Sequence, residues 1–214
     1  MKKITTVLIV VGVLLFLYPS IESTYSRYKE GQLLREYEEK MLQVSIPTYT
    51  EADSPYIQFD GNLPGGQNPW EQEDEDIIKD HTGALGIIEL PKIDIKIPLL
   101  YGATDRNLKY GAAQLEGTSP LGEVGNTAIA GHRNYTDERL FSNLDRLGPG
   151  DEIIIKTITD TFSYEVFNVF VVEPTDLSVL DKSDEEKILT LITCEPKQIA
   201  THRLILQAKL DTKE

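Results

Sequence analysis

Apolar residues run uninterrupted by charge from Ile4 to Ile21, then recur every three or four positions as far as Val44. Between Ser45 and Asp80 they have no period, and from Ala84 they alternate with polar residues almost to the C-terminus. The first run is 18 residues long, enough at about 1.5 Å per residue to cross a bilayer core as a helix. Lys2 and Lys3 precede it, and YPSIES after it is a poor cleavage site. Segment 1–21 is therefore expected to be an uncleaved signal anchor, with the rest of the chain outside a cell membrane crossed once. Segment 22–44 predicts a charged helical stalk with one narrow apolar stripe, Leu34, Tyr37, Met41 and Val44. That stripe either packs on the domain that follows, packs on another copy, or leaves the helix as a solvated spacer.

Segment 45–80 has linker chemistry: Pro47, Pro55, Pro64 and Pro69, three glycines, and the acidic run Glu71–Asp76. Its Asn68–Pro69–Trp70 trio holds the only tryptophan of the chain, and an indole in a linker suggests a docking point.

Segment 81–214 reads as strands. Ile93, Ile95, Ile97 and Leu99 alternate with Asp94, Lys96 and Pro98. Further strands are expected at Asn126–His132, Asp151–Thr157 and Thr161–Glu173, with a turn at Thr159–Asp160. Val169–Val172 is apolar on both faces, which predicts a central strand, and short helices are expected at Glu138–Leu144 and Ser183–Lys187. Many short strands separated by turn signals predict a closed barrel or a sandwich.

The last two strands carry the candidate chemistry. In ILTLITCEPKQIATHRLILQAKL, Leu189, Leu191 and Thr193 share one face and Thr190, Ile192 and Cys194 the other. On the next strand Arg203, Ile205 and Gln207 oppose Leu204, Leu206 and Ala208, and Glu195–Thr201 reads as the loop between them. A lone cysteine is most often a small buried hydrophobe and a lone arginine a solvated charge. Position argues otherwise: a thiol at a strand end beside a cation on the neighbouring strand is disposed toward the thiolate. The histidines are His81, His132 and His202. Spacing does not choose between His132 and His202 as a base, although adjacent His202 and Arg203 would face opposite ways.

TLITC, a short loop and THRL resemble the active-site signature of the sortases, cysteine transpeptidases of Gram-positive cell surfaces. LGIIELPKIDIKIPLLYGAT resembles that family's first two strands, and GNTAIAGHR with RLFSNLDRLGPGDEI its histidine-bearing strand and the segment after it. The resemblance spans about Ala84 to Leu210. It implies a mostly β fold, the family's eight-stranded barrel with short helices, here preceded by the expected transmembrane helix and stalk. It implies Cys194 as nucleophile, His132 as acid and base, and Arg203 as the oxyanion donor, with Thr193 adding support to substrate or oxyanion. It implies cleavage of an LPxTG-like sorting signal on surface-protein or pilin substrates. Transfer would follow to an amine of a peptidoglycan precursor or a pilin lysine, so surface proteins are anchored or pili polymerised. THRL and Asn68–Pro69–Trp70 lean toward the pilin-type class C members, which carry a lid with an Asp-Pro-aromatic motif, and the rest leaves a class D-like enzyme open. Leu63–Glu71 is accordingly a candidate lid over the cleft between Cys194 and Arg203.

Charge narrows the field further. The formal net charge is −14, and Lys2 and Lys3 are the only charges before Glu22, so the remainder holds −16. Nucleic acid is a poor partner for such a surface. One cysteine excludes an internal disulfide. No cofactor is expected: glycine-rich phosphate loops and metal-ligand spacings are absent from the sequence. Two other classes fit the same residues: a cysteine protease that hydrolyses the same kind of signal, and a non-catalytic membrane-tethered binding domain.

Overall fold

The computed structural model describes residues 2–44, 84–133 and 138–211, with side chains in the first helix described at residue 18 and over 21–42. The strands are β1 (Ala84–Leu90), β2 (Ile95–Tyr101), β3 (Ala112–Gln114), β4 (Gly125–Ala130), β5 (Glu152–Lys156), β6 (Thr161–Val172), β7 (Lys187–Glu195) and β8 (His202–Leu210). They close into a barrel in the order β1-β2-β3-β4-β7-β8-β6-β5, with β1 pairing β5 to complete the circle. The β2–β3 and β4–β7 pairs are parallel, and the others antiparallel.

Period-two alternation fills the inside. Ile88, Leu90, Ile97, Leu99, Ile129, Ile153, Ile155, Leu189, Leu191, Leu204 and Leu206 form one buried cluster, each aliphatic side chain contributing about 1.5–3 kcal/mol by leaving water. The connection after β4 adds Leu140, Phe141, Leu144 and Leu147 to it. Between β1 and β2 the chain turns through a 3-10 segment, Pro91–Ile93, and Asp94 at φ 52°. Ile93, expected at the start of the β2 alternation, thus belongs to the turn.

Other local expectations change. Glu138–Leu144 is not a helix; it runs through turns, with Leu140 at φ 52°, into a 3-10 segment at Leu144–Arg146. Its apolar residues turn into the barrel end instead of lying along one helix face. Ser183–Lys187 is a bend in which the Ser183 hydroxyl accepts from the backbone N–H groups of Glu185 and Glu186. Other short helices are α2 (Asp105–Leu108) and a 3-10 segment at Ser178–Leu180. Val169–Val172 pairs with β8 along one edge, and Val171, the register partner of Leu204, stays half exposed.

The N-terminal expectations are corrected. α1 (Lys2–Val44) is one continuous helix, not a membrane span followed by a separate stalk. Among the described residues no helix is long and apolar enough to cross a membrane. With that go the single-pass topology, the membrane as a partner and the membrane-anchored description of the protein. A standing-off stalk goes too, because α1 lies against the barrel. The Tyr37 hydroxyl donates to the Leu85 carbonyl at 2.7 Å with its ring buried. Ser26 Oγ donates to Lys109 O at 2.7 Å, Lys96 Nζ meets Glu38 at 2.6 Å, and Arg139 Nε meets Glu30 at 3.0 Å. Residues 21–42 carry nine charged side chains, and several of them serve as docking contacts. Burial pushes the Tyr37 phenol up, against a smaller opposing effect of a backbone hydrogen bond.

Candidate active site

Strand β7 sets the geometry. Leu189 and Leu191 point into the core, so Thr193 follows them inward while Thr190, Ile192 and Cys194 face out. On the outer face the Thr190 hydroxyl donates to Asn126 Oδ1 at 2.8 Å, which fixes the even-numbered residues of β4 on that same face. Antiparallel pairing with β8 makes Cys194 and Arg203 register partners, and such partners project to one side of a sheet.

The parallel β4–β7 ladder ends at Ala130 and Ile192. The backbone continues the match for another step, with Gly131 N–H donating to Ile192 O at 3.1 Å. His132 lies two residues past Ala130, as Cys194 lies two past Ile192. Cys194 and Arg203 stand together on the outer face where β7 and β8 pair, and His132 follows the end of β4, the strand on the other side of β7. Cys194 is partly exposed and His132 exposed, so both are open to a substrate.

The loop between β7 and β8 includes a cis Glu195–Pro196 peptide and Ala200 at φ 54°. Arg203 Nη1 donates to the carbonyls of Ala200 at 3.2 Å and His202 at 2.9 Å, which folds the guanidinium back over this loop. Lys197 reaches Asn143 Oδ1 at 3.3 Å and ties the loop to the segment after β4.

His132 is gripped from the same segment, with its carbonyl accepting from Phe141 N–H at 3.1 Å. Gly131 makes that approach possible: a Cβ there would lie 2.5 Å from the Phe141 ring. Thr193 is buried, and its hydroxyl donates to the Gly131 carbonyl at 2.7 Å. His202 is engaged elsewhere, with Nε2 3.2 Å from Glu173 and Nδ1 2.9 Å from the Thr201 hydroxyl. Asn68, Pro69, Trp70 and His81 lie outside the described residues.

Sequence reasoning passed over Arg133. Its side chain is 4% exposed, and it contacts the Cys194 carbonyl, the Glu195 carboxylate, Asp145 and the Ser142 carbonyl. A signal was present: a base follows His132 and an acid follows Cys194, so Arg133 and Glu195 match one step beyond these two.

Comparison with known proteins agrees with this geometry. Residues 88–211 match the Sortase family, described as a sortase domain. The chain is 33% identical over 154 residues to Sortase A of Staphylococcus aureus, an alignment covering 68% of this chain and 72% of that protein. It superposes on a Sortase D5 transpeptidase of Clostridium perfringens with a TM-score of 0.63 and 31% identity, covering 86% of this chain and 99% of the other. Sortase C1 of Streptococcus agalactiae gives a TM-score of 0.60 and 32% identity, covering 68% of this chain and 80% of that one. A closed barrel of eight strands with a thiol and a guanidinium in register at its rim, matched over more than half of the chain, makes this protein a member of the sortase family of cysteine transpeptidases, close to classes C and D in sequence and fold.

Proposed function

We propose that the chain transfers acyl groups from surface-protein peptides to an amine, with Cys194 as nucleophile, His132 as acid and base, and Arg203 as the cation at the oxyanion. The observation that carries this reading is the register of the three strand ends. Cys194 pairs with Arg203, and the β4–β7 match runs on toward His132.

The Cys194 thiolate adds to a peptide carbonyl carbon, forming a C–S bond and an oxyanion. The Arg203 guanidinium stabilises that charge; removal of one oxyanion donor costs about 3 kcal/mol in comparable sites. The C–N bond then breaks as His132 gives a proton to the departing amine, which leaves a thioester on Cys194. An incoming amine adds to the thioester, His132 takes its extra proton, and the C–S bond breaks to return the thiolate. Thr193 contributes from within, its hydroxyl holding the Gly131 carbonyl beside His132.

Incubating the full chain with a peptide library that includes LPxTG-like sequences, with and without candidate amines, tests the reading by mass spectrometry of the products. Amine-linked products are expected. Hydrolysis products alone, unchanged by amine, would make the protein a protease.

A further inference from the structure

The β4–β7 ladder stops two residues short of the proposed reacting pair. The separation there still has to be fixed, because misplacing a reacting group by about 1 Å costs on the order of 100-fold in rate. Side chains bridge the gap. Thr193 grips Gly131 on one side of His132. Arg133 follows His132 directly on the other, and its Nη1 donates to the carbonyl of Cys194 at 3.1 Å and to the Glu195 carboxylate. Two more contacts fix the plane of the guanidinium: Nη2 lies 2.9 Å from Asp145 Oδ1, and Nε donates to Ser142 O at 3.4 Å.

Burying a guanidinium is costly unless its donors are met. Here they meet acceptors from β7, from the turn at Ser142 and from the 3-10 segment of Asp145. An ion pair needed only for stability would serve anywhere on the barrel. This one joins the residue after the base to the carbonyl of the thiol residue itself.

We infer that Arg133 is a positioning residue that holds Cys194 in line with His132, an inference that rests on the transpeptidase reading above. Its grip is on the main chain. A donor held on the Cys194 carbonyl limits rotation about the Cα–C bond, and so sets the direction in which the thiol leaves the strand. Arginine is suited because its planar fork serves carbonyl and carboxylate together, whereas lysine is a point charge on a flexible stem.

The test compares full-length wild type, Arg133→Lys, Arg133→Met, Glu195→Gln and Cys194→Ala. It measures kcat and KM per folded molecule for peptide transfer, thermal melting, and the pH profile of Cys194 alkylation by iodoacetamide. Arg133→Lys and Arg133→Met are expected to lower kcat about 10- to 100-fold with KM within about two-fold. Their alkylation profile should differ from that of wild type, because the thiol no longer stands in its fixed place beside His132. Glu195→Gln keeps the side-chain size, removes the charge and should change both in the same direction by less. A folded Arg133→Lys with wild-type kcat and alkylation profile would overturn the inference, as would a loss of kcat fully matched by the unfolded fraction. If neither Arg133 variant folds, Glu195→Gln decides, and wild-type values there overturn it. Equal turnover by wild type and Cys194→Ala would instead contradict the transpeptidase reading, and the alkylation profile would then judge the Arg133 contact by itself.

Discussion

Cys194 on β7 and Arg203 on β8 are register partners across an antiparallel pair, the thiol and the guanidinium projecting from the same outer face of the barrel. Arg203 Nη1 donates to the carbonyls of Ala200 in the preceding loop and of His202 at the start of β8, which restrains the guanidinium. Replacing it with lysine keeps the charge and loses the planar fork. Arg203→Lys is expected to lower kcat/KM for peptide transfer roughly 100-fold, within the span of oxyanion-donor losses, with the melting temperature little changed. Steady-state kinetics on the folded variant check this, and near wild-type turnover would reduce Arg203 to an electrostatic neighbour.

Gly131 is the residue on which the approach of Phe141 to His132 depends. A methyl group there meets the buried Phe141 ring, which cannot swing into solvent. Gly131→Ala is expected to destabilise the barrel by about 1–3 kcal/mol, as overpacking does, and to impair turnover through the displaced His132 carbonyl contact. Denaturant midpoints alongside kinetics measure both, and an unchanged midpoint would show that the ring has room to move.

Helix α1 and the barrel share a charge network with a defined pH dependence. Burial alone would raise the Glu89 carboxyl, but Lys156 and Lys96 outweigh it and hold the group below its ordinary value. A carboxylate depressed in the folded state contributes stability above its unfolded pKa and loses it as pH falls through the folded value. Lys96 is raised, first by its hydrogen bond to Glu38 on α1, and that contribution is present below the ordinary lysine value and lost as pH climbs through the raised one. Stability is therefore expected to fall at both the acidic and the strongly alkaline end. Lys156→Met should flatten the acidic fall and Glu38→Gln the alkaline one. Thermal melts of the three proteins across pH read this out, and parallel curves would contradict it.

Much of the site was legible because strands alternate. The inward Leu189 and Leu191 put Cys194 on the outer face, and a short loop brought Arg203 beside it. His132 was not readable from spacing, since β4 and β7 are parallel neighbours joined through β5 and β6, and only the family resemblance singled it out. Arg133 was passed over for a related reason: a charged residue beside a histidine looks solvated until the strand carrying Glu195 is set against it. The pattern of Leu140, Phe141 and Leu144 suited a helix, but burial at the barrel end bent that segment through a left-handed residue. At the N-terminus, hydrophobicity suggested two elements, a span and a stalk. One helix took their place, because a change of composition does not break a hydrogen-bond ladder, and its polar part found partners on the barrel.

In the proposed mechanism Cys194 carries the acyl group between the peptide and the amine. Intact-mass measurement of the full chain, quenched after brief exposure to a cleavable peptide, detects that acyl group. A peptide adduct is expected on wild type that maps to Cys194 and disappears on adding amine as the transfer product forms, and neither adduct nor product with folded Cys194→Ala. Transfer by folded Cys194→Ala, or an adduct mapped to another residue, would contradict it.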